Sequence, residues 1–327
     1  MQRREFITIL GGVAAGLPLG AHAQQPTVPV IGFLSGGSPT EYGHLVAAFR
    51  DGLSETGYVE GRNVKIEYRW SEARFERLKS LATDLVERRV TLIAATGGSN
   101  SVIAARSATK TIPIVFTGGG DPVKLGFVAS LSRPGGNATG VTNISSMLET
   151  KRLDLLEEII PKAAKMAALI NPDNPNAEVE EKDLHSAANA LGRSILIVRA
   201  NNDDAVNQAF VTVMQAGVGA LVVVLDPFLR MQRDRLVELA AQNKLPTIYS
   251  DRAFAFAGGL MSYGANISAM YRQAGVYAGR ILNGEKPSNL PVVQPSKFEL
   301  VINLKTARAL GLDMPAKLLA LADEVIE

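Results

Sequence analysis

The chain has 327 residues, 46% of them hydrophobic and 20% charged, with a formal net charge of +2 and no cysteine. That length suits two domains of common size with well-filled cores. The lack of cysteine excludes disulfides, thiol nucleophiles, zinc–thiolate sites and a lipidated cysteine, and a near-neutral charge without a basic tract argues against nucleic-acid or anionic-membrane surfaces.

Arg3 and Arg4 precede an apolar run over residues 7–19, which ends in Ala21-His22-Ala23. A charged start, a short apolar middle and a small-residue exit predict a secretory signal over 1–23, cut near Ala23, and hence a periplasmic address. Its core is twin-arginine-like, but Gln2 stands where that pattern has Ser or Thr, so the Sec route stays open. The run is too short and glycine-rich for a membrane span of about 20 residues. Of three histidines, His22 leaves with the signal. His44 and His185 fall in polar helical stretches, which argues against a histidine-based hydrolase.

Beyond the signal, apolar β-rich runs alternate with amphipathic helical stretches. This is the pattern of an α/β fold with a parallel sheet covered on both faces. Residues 28–34 predict a buried strand, 40–56 a helix, 63–70 a half-buried strand, 73–88 a helix and 91–95 a strand. A helix over 100–109 and a strand over 112–116 follow. Ser132-Arg133-Pro134-Gly135-Gly136-Asn137 is strong turn chemistry, and an extended segment leaves it at 139–143. The alternation then restarts: helix 147–160, strand 165–170, helix 177–191, strand 194–198, helix 205–216, strand 220–225, helix 231–243 and strand 245–249. The tail holds a helix at 267–282 and an extended run at 298–304. The expected layout is two doubly wound parallel-sheet lobes joined by a multi-strand hinge. Residues 24–142 form the first lobe, with 265–290 returning to it; 143–264 form the second, with 291–327 packing back on it.

Small hydroxyl residues and glycines cluster where strands end. Ser35-Gly36-Gly37-Ser38, Thr96-Gly97-Gly98-Ser99 and Thr117-Gly118-Gly119-Gly120-Asp121 fall on one edge of the first half. In open parallel sheets that edge binds ligands, because glycine admits close approach and a following helix offers free N–H groups to an anion. The same residues also cap helices and make tight turns. The facing edge of the second half offers Asn171, Asp173, Asp226, Tyr249, Asp251, Arg252 and Tyr263. Asp226 ends the most apolar strand and needs a partner, either a ligand ammonium group or Arg230 or Arg252. Arg252 could instead clamp a ligand carboxylate. Trp70 and Tyr68 offer an aromatic wall or ordinary core packing. The sequence holds no nucleophile–base set, no P-loop, and no dinucleotide fingerprint outside the signal, so no cofactor is expected.

Ile31-Gly-Phe-Leu-Ser35, Leu131-Ser-Arg-Pro-Gly-Gly-Asn-Ala-Thr-Gly-Val141, Asn171-Pro-Asp-Asn-Pro175, Gly258-Gly-Leu-Met-Ser-Tyr-Gly264 and Ile281-Leu-Asn-Gly-Glu-Lys-Pro287 resemble the substrate-binding proteins of ABC importers, in the tryptophan/tyrosine-type family. The resemblance covers nearly all of the chain beyond the signal. It implies a type I periplasmic-binding fold, hinged, that closes on one small solute, an aromatic amino acid in members with known ligands, and hands it to a permease with its ATPase; the solute expected here is aromatic or carboxylate-bearing, and the expected state is a monomer. It also implies binding without catalysis. Carried over by position, the loops of Ser35, Thr96, Ser99, Thr117 and Asn143 would hold the ligand's polar end, with Asp226 and Asp251 across the cleft; the strand-end reading adds Ser38, Asp121, Trp70, Arg252 and Tyr263 to the expected ligand-binding residues. Relatives often carry Thr-Asp-Asn where this chain reads Val224-Leu225-Asp226-Pro227-Phe228. A ligand-presenting sensor and a secreted α/β enzyme are the alternative expectations.

Overall fold

The computed structural model describes residues 28–144, 148–160 and 165–327. The predicted signal over 1–23 and Met147, the expected start of the 147–160 helix, lie outside the described residues.

The first lobe opens on β1 (Val30–Ser35), whose side chains split by period two. Ile31 and Phe33 enter one apolar cluster and Leu34 enters another, so both faces of the sheet are covered. α1 (Pro39–Ser54) starts where Ser38 accepts the Glu41 N–H at 3.3 Å, with Pro39 in its first turn. Then come β2 (Lys65–Trp70), α2 (Leu78–Glu87), β3 (Leu92–Thr96), α3 (Ser99–Ala108), β4 (Ile114–Gly118) and β5 (Ala138–Thr142). The helix expected from 73 begins later. Glu72 and Ala73 take positive φ, because their N–H groups donate to the carbonyls of Gly37 and Gly36. The extended segment after the Arg-Pro-Gly-Gly-Asn turn is β5, paired with β4 as a sheet strand.

The second lobe runs α4 (Glu149–Glu157), β6 (Lys165–Ile170), α5 (Ala177–Ala190), β7 (Ile195–Arg199), α6 (Asp203–Gln215) and β8 (Val218–Val223). It continues with α7 (Pro227–Met231), α8 (Arg233–Gln242), β9 (Thr247–Tyr249), α9 (Arg252–Phe256) and β10 (Met261–Ala265). After α10 (Ile267–Leu282) come β11 (Phe298–Asn303), α11 (Leu304–Ala309), α12 (Ala316–Leu321) and β12 (Glu324–Ile326). Among the described residues there are two sheets, ordered β2-β1-β3-β4-β5 and β12-β11-β10-β9-β8-β6-β7.

Among the described strands every pairing is parallel except β10 with β11. The path of the chain explains that exception. β10 runs toward the first lobe, where α10 packs on α1, β4 and β5. Val293 then bonds across to Gly140 and Thr142 of β5 before the chain re-enters the second sheet. It therefore enters from the same edge that β10 left, and β11 must run the other way. The chain passes between the lobes after β5, after β10 and before β11.

The returning helix fits because glycines let it come close. A Cβ on Gly52 would lie 1.8 Å from the Arg272 carbonyl oxygen, and one on Gly275 would lie 2.0 Å from that of Phe49. Forced overpacking of this kind costs about 1–3 kcal/mol. Gly52→Ala is expected to lose about 2–3 kcal/mol in urea unfolding. A loss below about 0.5 kcal/mol, the range of neutral surface changes, would disprove the close helix pair.

Candidate ligand-binding site

A cleft runs between the carboxyl ends of the two sheets, where strand-end loops of both lobes meet. Its empty space is about 560 Å³, a figure that includes open solvent at the mouth.

The first lobe contributes an anion-friendly wall. Gly97 and Gly98 have φ of +66° and +105°, a path only glycine takes easily, and it turns the chain directly into α3. No side chain caps that helix, and Gly98 and Ser99 line the cleft. The first N–H groups of a helix lack partners within it and suit a carboxylate; in α3 the Ser101 N–H turns back to the Gly98 carbonyl at 3.2 Å, which leaves those of Ser99 and Asn100 for a ligand. Gly97 is held by donating its own N–H to the Tyr271 hydroxyl at 3.0 Å. Burial raises the Tyr271 phenol, while hydrogen bonding with Thr96 and Thr117 pulls the other way. Asn143 donates its N–H to the Gly118 carbonyl, and its side-chain oxygen is buried without a partner among the described residues.

The second lobe contributes the opposite polarity. Asp226 caps α7 by accepting the Leu229 N–H at 3.0 Å. It also accepts from Asn171 at 3.1 Å and Asn174 at 2.9 Å. All three donors are neutral, and the side chain is only 2% exposed. Burial therefore pushes its carboxyl up to about 6, against the pull of these hydrogen bonds. One turn later Arg230 also lines the cleft, ion-paired with Asp251 and lying over the Tyr42 ring. Tyr42 and Leu45 of α1, with Ile267 and Met270 of α10, complete an apolar side wall.

Direct bonds join the lobes around the cleft. Asn176 donates to Ser99 Oγ at 3.2 Å, Asn100 to the Asp173 carbonyl at 3.3 Å, and Arg233 to Glu41 at 2.9 Å. Arg230 Nη2 lies 3.3 Å from His44 Nε2. Burial and the nearby Arg230 charge lower the His44 pKa. The cleft is shut.

Of the residues singled out from sequence, Ser99, Thr117, Asn143 and Asp226 share this cleft. Ser35 and Thr96 are fully buried beneath it, Ser35 accepting the Gly37 N–H at 3.2 Å. Ser38 caps α1, and Asp121 caps the next turn by accepting the Val123 and Lys124 N–H groups. Trp70 stacks on Tyr68 and packs near Phe33 and Tyr42, which is the core alternative for it. Asp251 lies behind Arg230 and caps α9. Tyr263 sits by Phe298, outside the cleft lining, with its carbonyl taken by Arg152.

Arg252 pairs with Glu299 and Glu324, away from the cleft lining, so it is placed neither on Asp226 nor on a ligand carboxylate. Arg252→Ala is accordingly expected to leave ligand affinity within about twofold, because partly exposed pairs of this kind are worth about 1 kcal/mol or less to the fold. A tenfold loss in calorimetric titration would put Arg252 back in the site. Sequence reasoning missed Tyr42, Leu45, Asn174, Asn176, Ile267, Met270 and Tyr271. The two asparagines lie in or just after the Asn171–Pro175 stretch and were within reach. The others come from helix faces that meet only through tertiary packing.

The profile of ABC transporter substrate binding proteins matches residues 27–326. The chain belongs to that family. Members of the family bind a substrate rather than transform one, and this chain is not an enzyme. A tyrosine-binding protein of Clostridioides difficile (strain R20291) is 30% identical over 264 residues, which is 81% of this chain and 75% of the relative. The structure of an ABC domain in complex with L-Trp from Streptococcus pneumonia is 26% identical, covers 91% of this chain and 99% of that one, and superposes with a TM-score of 0.83. A ligand-free, open substrate binding protein with adhesive properties from Clostridium difficile has the same identity and coverage but a TM-score of 0.66. The nearer match to the ligand-bound form agrees with the bonds that shut the cleft of this family member. Periplasmic binding proteins of lower identity share the type I fold of two α/β lobes. Among the described residues no helix is long and apolar enough to cross a membrane.

Proposed function

We propose that this chain captures an aromatic amino acid as its zwitterion and delivers it to the permease and ATPase of an importer. The observation that carries the reading is the polarity of one cleft. The uncapped α3 N-terminus forms one wall and the buried, uncompensated Asp226 forms the facing wall, with apolar side chains between them. The helix end takes the carboxylate, Asp226 takes the ammonium, and Leu45, Ile267 and Met270 pack on the ring. The names of the relatives, one tyrosine-binding and one bound to L-Trp, support the same class. Closure strips water from the cleft and strengthens each of these bonds. The Arg-Arg leader and small-residue exit in the sequence support a periplasmic address, and the proposed form there is a monomer. Residues 28–142 with 265–293 act as one lobe, and 143–264 with 298–327 act as the other, the bonds of Val292 and Val293 to the first lobe favouring a boundary after 293 rather than after 290.

The test is thermal denaturation of residues 24–327 with L-tryptophan, L-tyrosine and L-phenylalanine, beside tryptamine and indole-3-acetate. An amino acid present at 100 times its Kd adds about 2.7 kcal/mol of stability, while the amine and the acid alone add little. No shift with any of the three amino acids, or an equal shift with tryptamine, would refute the reading.

A further inference from the structure

We propose that Arg230 is the specificity-determining residue of this cleft, selecting ligands whose side chain ends in a neutral oxygen acceptor over plain aryl, indole and acidic side chains. This rests on the amino-acid reading above and deepens it.

Arg230 is 4% exposed and lines the cleft. Its guanidinium has three neighbours: Asp251 at Nη1, His44 at Nη2, and the Tyr42 ring with its centroid 5.4 Å from Cζ. Nε is buried and has no hydrogen-bond partner. A buried donor left unpaired is costly, and a small movement of this lining side chain as the cleft closes on a ligand oxygen would satisfy it. The donor belongs to a charged group, so the bond it makes is of the stronger kind.

Charge decides which oxygen. Asp251 already neutralises Arg230, and both side chains are nearly buried, 3% and 5% exposed. Asp226 adds one further negative charge to the lining, with only neutral donors around it. A ligand with a second carboxylate would bring net negative charge into a cleft that already has an excess of it. A phenolic oxygen brings none. An indole offers only an N–H donor, which a guanidinium cannot accept, and a phenyl ring offers nothing. The apolar wall of Leu45, Ile267 and Met270 suits the ring that would carry the acceptor.

The experiment is isothermal titration of residues 24–327 with L-tyrosine, L-phenylalanine, L-tryptophan and L-glutamate. L-Tyrosine is expected to bind at least tenfold more tightly than L-phenylalanine or L-tryptophan, with L-glutamate weakest. Arg230→Met should reduce the tyrosine-to-phenylalanine ratio to about three or less. That change leaves Asp251 buried and unpaired, so the double variant Arg230→Met, Asp251→Asn is measured beside it; asparagine caps α9 as well as aspartate does. His44→Ala removes the contact across the cleft without touching the donor, and should lower all affinities while keeping the ratio. Equal binding of tyrosine and phenylalanine by the parent protein, or a ratio unchanged in both Arg230 variants, overturns the inference and leaves the amino-acid reading standing. Binding of none of the four overturns both.

Discussion

Replacing Asp226 with asparagine is expected to weaken aromatic amino-acid binding at least 100-fold at pH 7.5, with the fold intact. Asparagine caps a short helix as well as aspartate, so the Leu229 N–H keeps its acceptor. What disappears is the negative charge facing the ligand ammonium, together with the oxygen that accepts from Asn174. Removing one partner of a buried ion pair costs about 3–5 kcal/mol, because the other is left buried and unpaired. That exceeds the 2.7 kcal/mol or so that 100-fold represents. Retention of affinity within about fivefold in calorimetric titration would mean that the ammonium sits elsewhere.

The same carboxyl sets a pH dependence with a definite sign. In the ligand-free fold its pKa is raised from 3.8 to about 6 by burial. Its contribution to stability is therefore full below 3.8, declines as pH rises, and is lost above about 6, a cost of about 3 kcal/mol at neutral pH. An ammonium ligand offsets that cost by stabilising the charged form. Affinity should then be flat above pH 7 and fall up to tenfold per pH unit below 6, as the proton must be displaced on binding. His44 is the other group near the cleft to watch in this range. Its protonation beside Arg230 would oppose closure, while Glu41 favours the charged imidazole and Arg233 disfavours it. Asp226→Asn separates the two, because any pH dependence left in that variant belongs to His44.

Local chemistry made the strand ends readable. Val218–Val223 is apolar along its length, which marks a central strand, and it forces the aspartate just beyond it into poor solvation. The Thr96-Gly97-Gly98-Ser99 run likewise announces a sharp turn into a helix. Arg252 and Arg230 show where such reasoning stops. Both follow an aspartate that caps a short helix, by one residue and by four. The single residue turns Arg252 outward to Glu299 and Glu324, and the full turn carries Arg230 back over its own cap into the cleft. Tyr271 was legible only as a residue of a tail helix. Its hydroxyl becomes part of the cleft floor because the chain crosses lobes and α10 docks on α1 through Gly52 and Gly275. No local pattern encodes that docking.

Gly98→Ala is expected to weaken ligand binding by about 100-fold through a collision rather than a lost contact. A Cβ at Gly98 would lie 2.7 Å from Cγ of Pro227, a stiff ring on the opposite lobe. The clash exists only when the cleft is shut, so the variant should stay open and lose the bonds that closure makes. The positive φ of +105° adds backbone strain to any side chain at this position. Gly57→Ala controls for strain, since Gly57 has φ +92° but nothing within 4 Å of a built Cβ. Both variants should lose about 1–2 kcal/mol of stability from the unfavourable backbone, and Gly98→Ala alone should lose affinity. In small-angle scattering with saturating L-tyrosine, Gly57→Ala should contract as the parent protein does, whereas Gly98→Ala should keep the larger radius. Equal contraction of the two would show that Gly98 and Pro227 do not meet on closure, and that the shut cleft is not the state that holds the ligand.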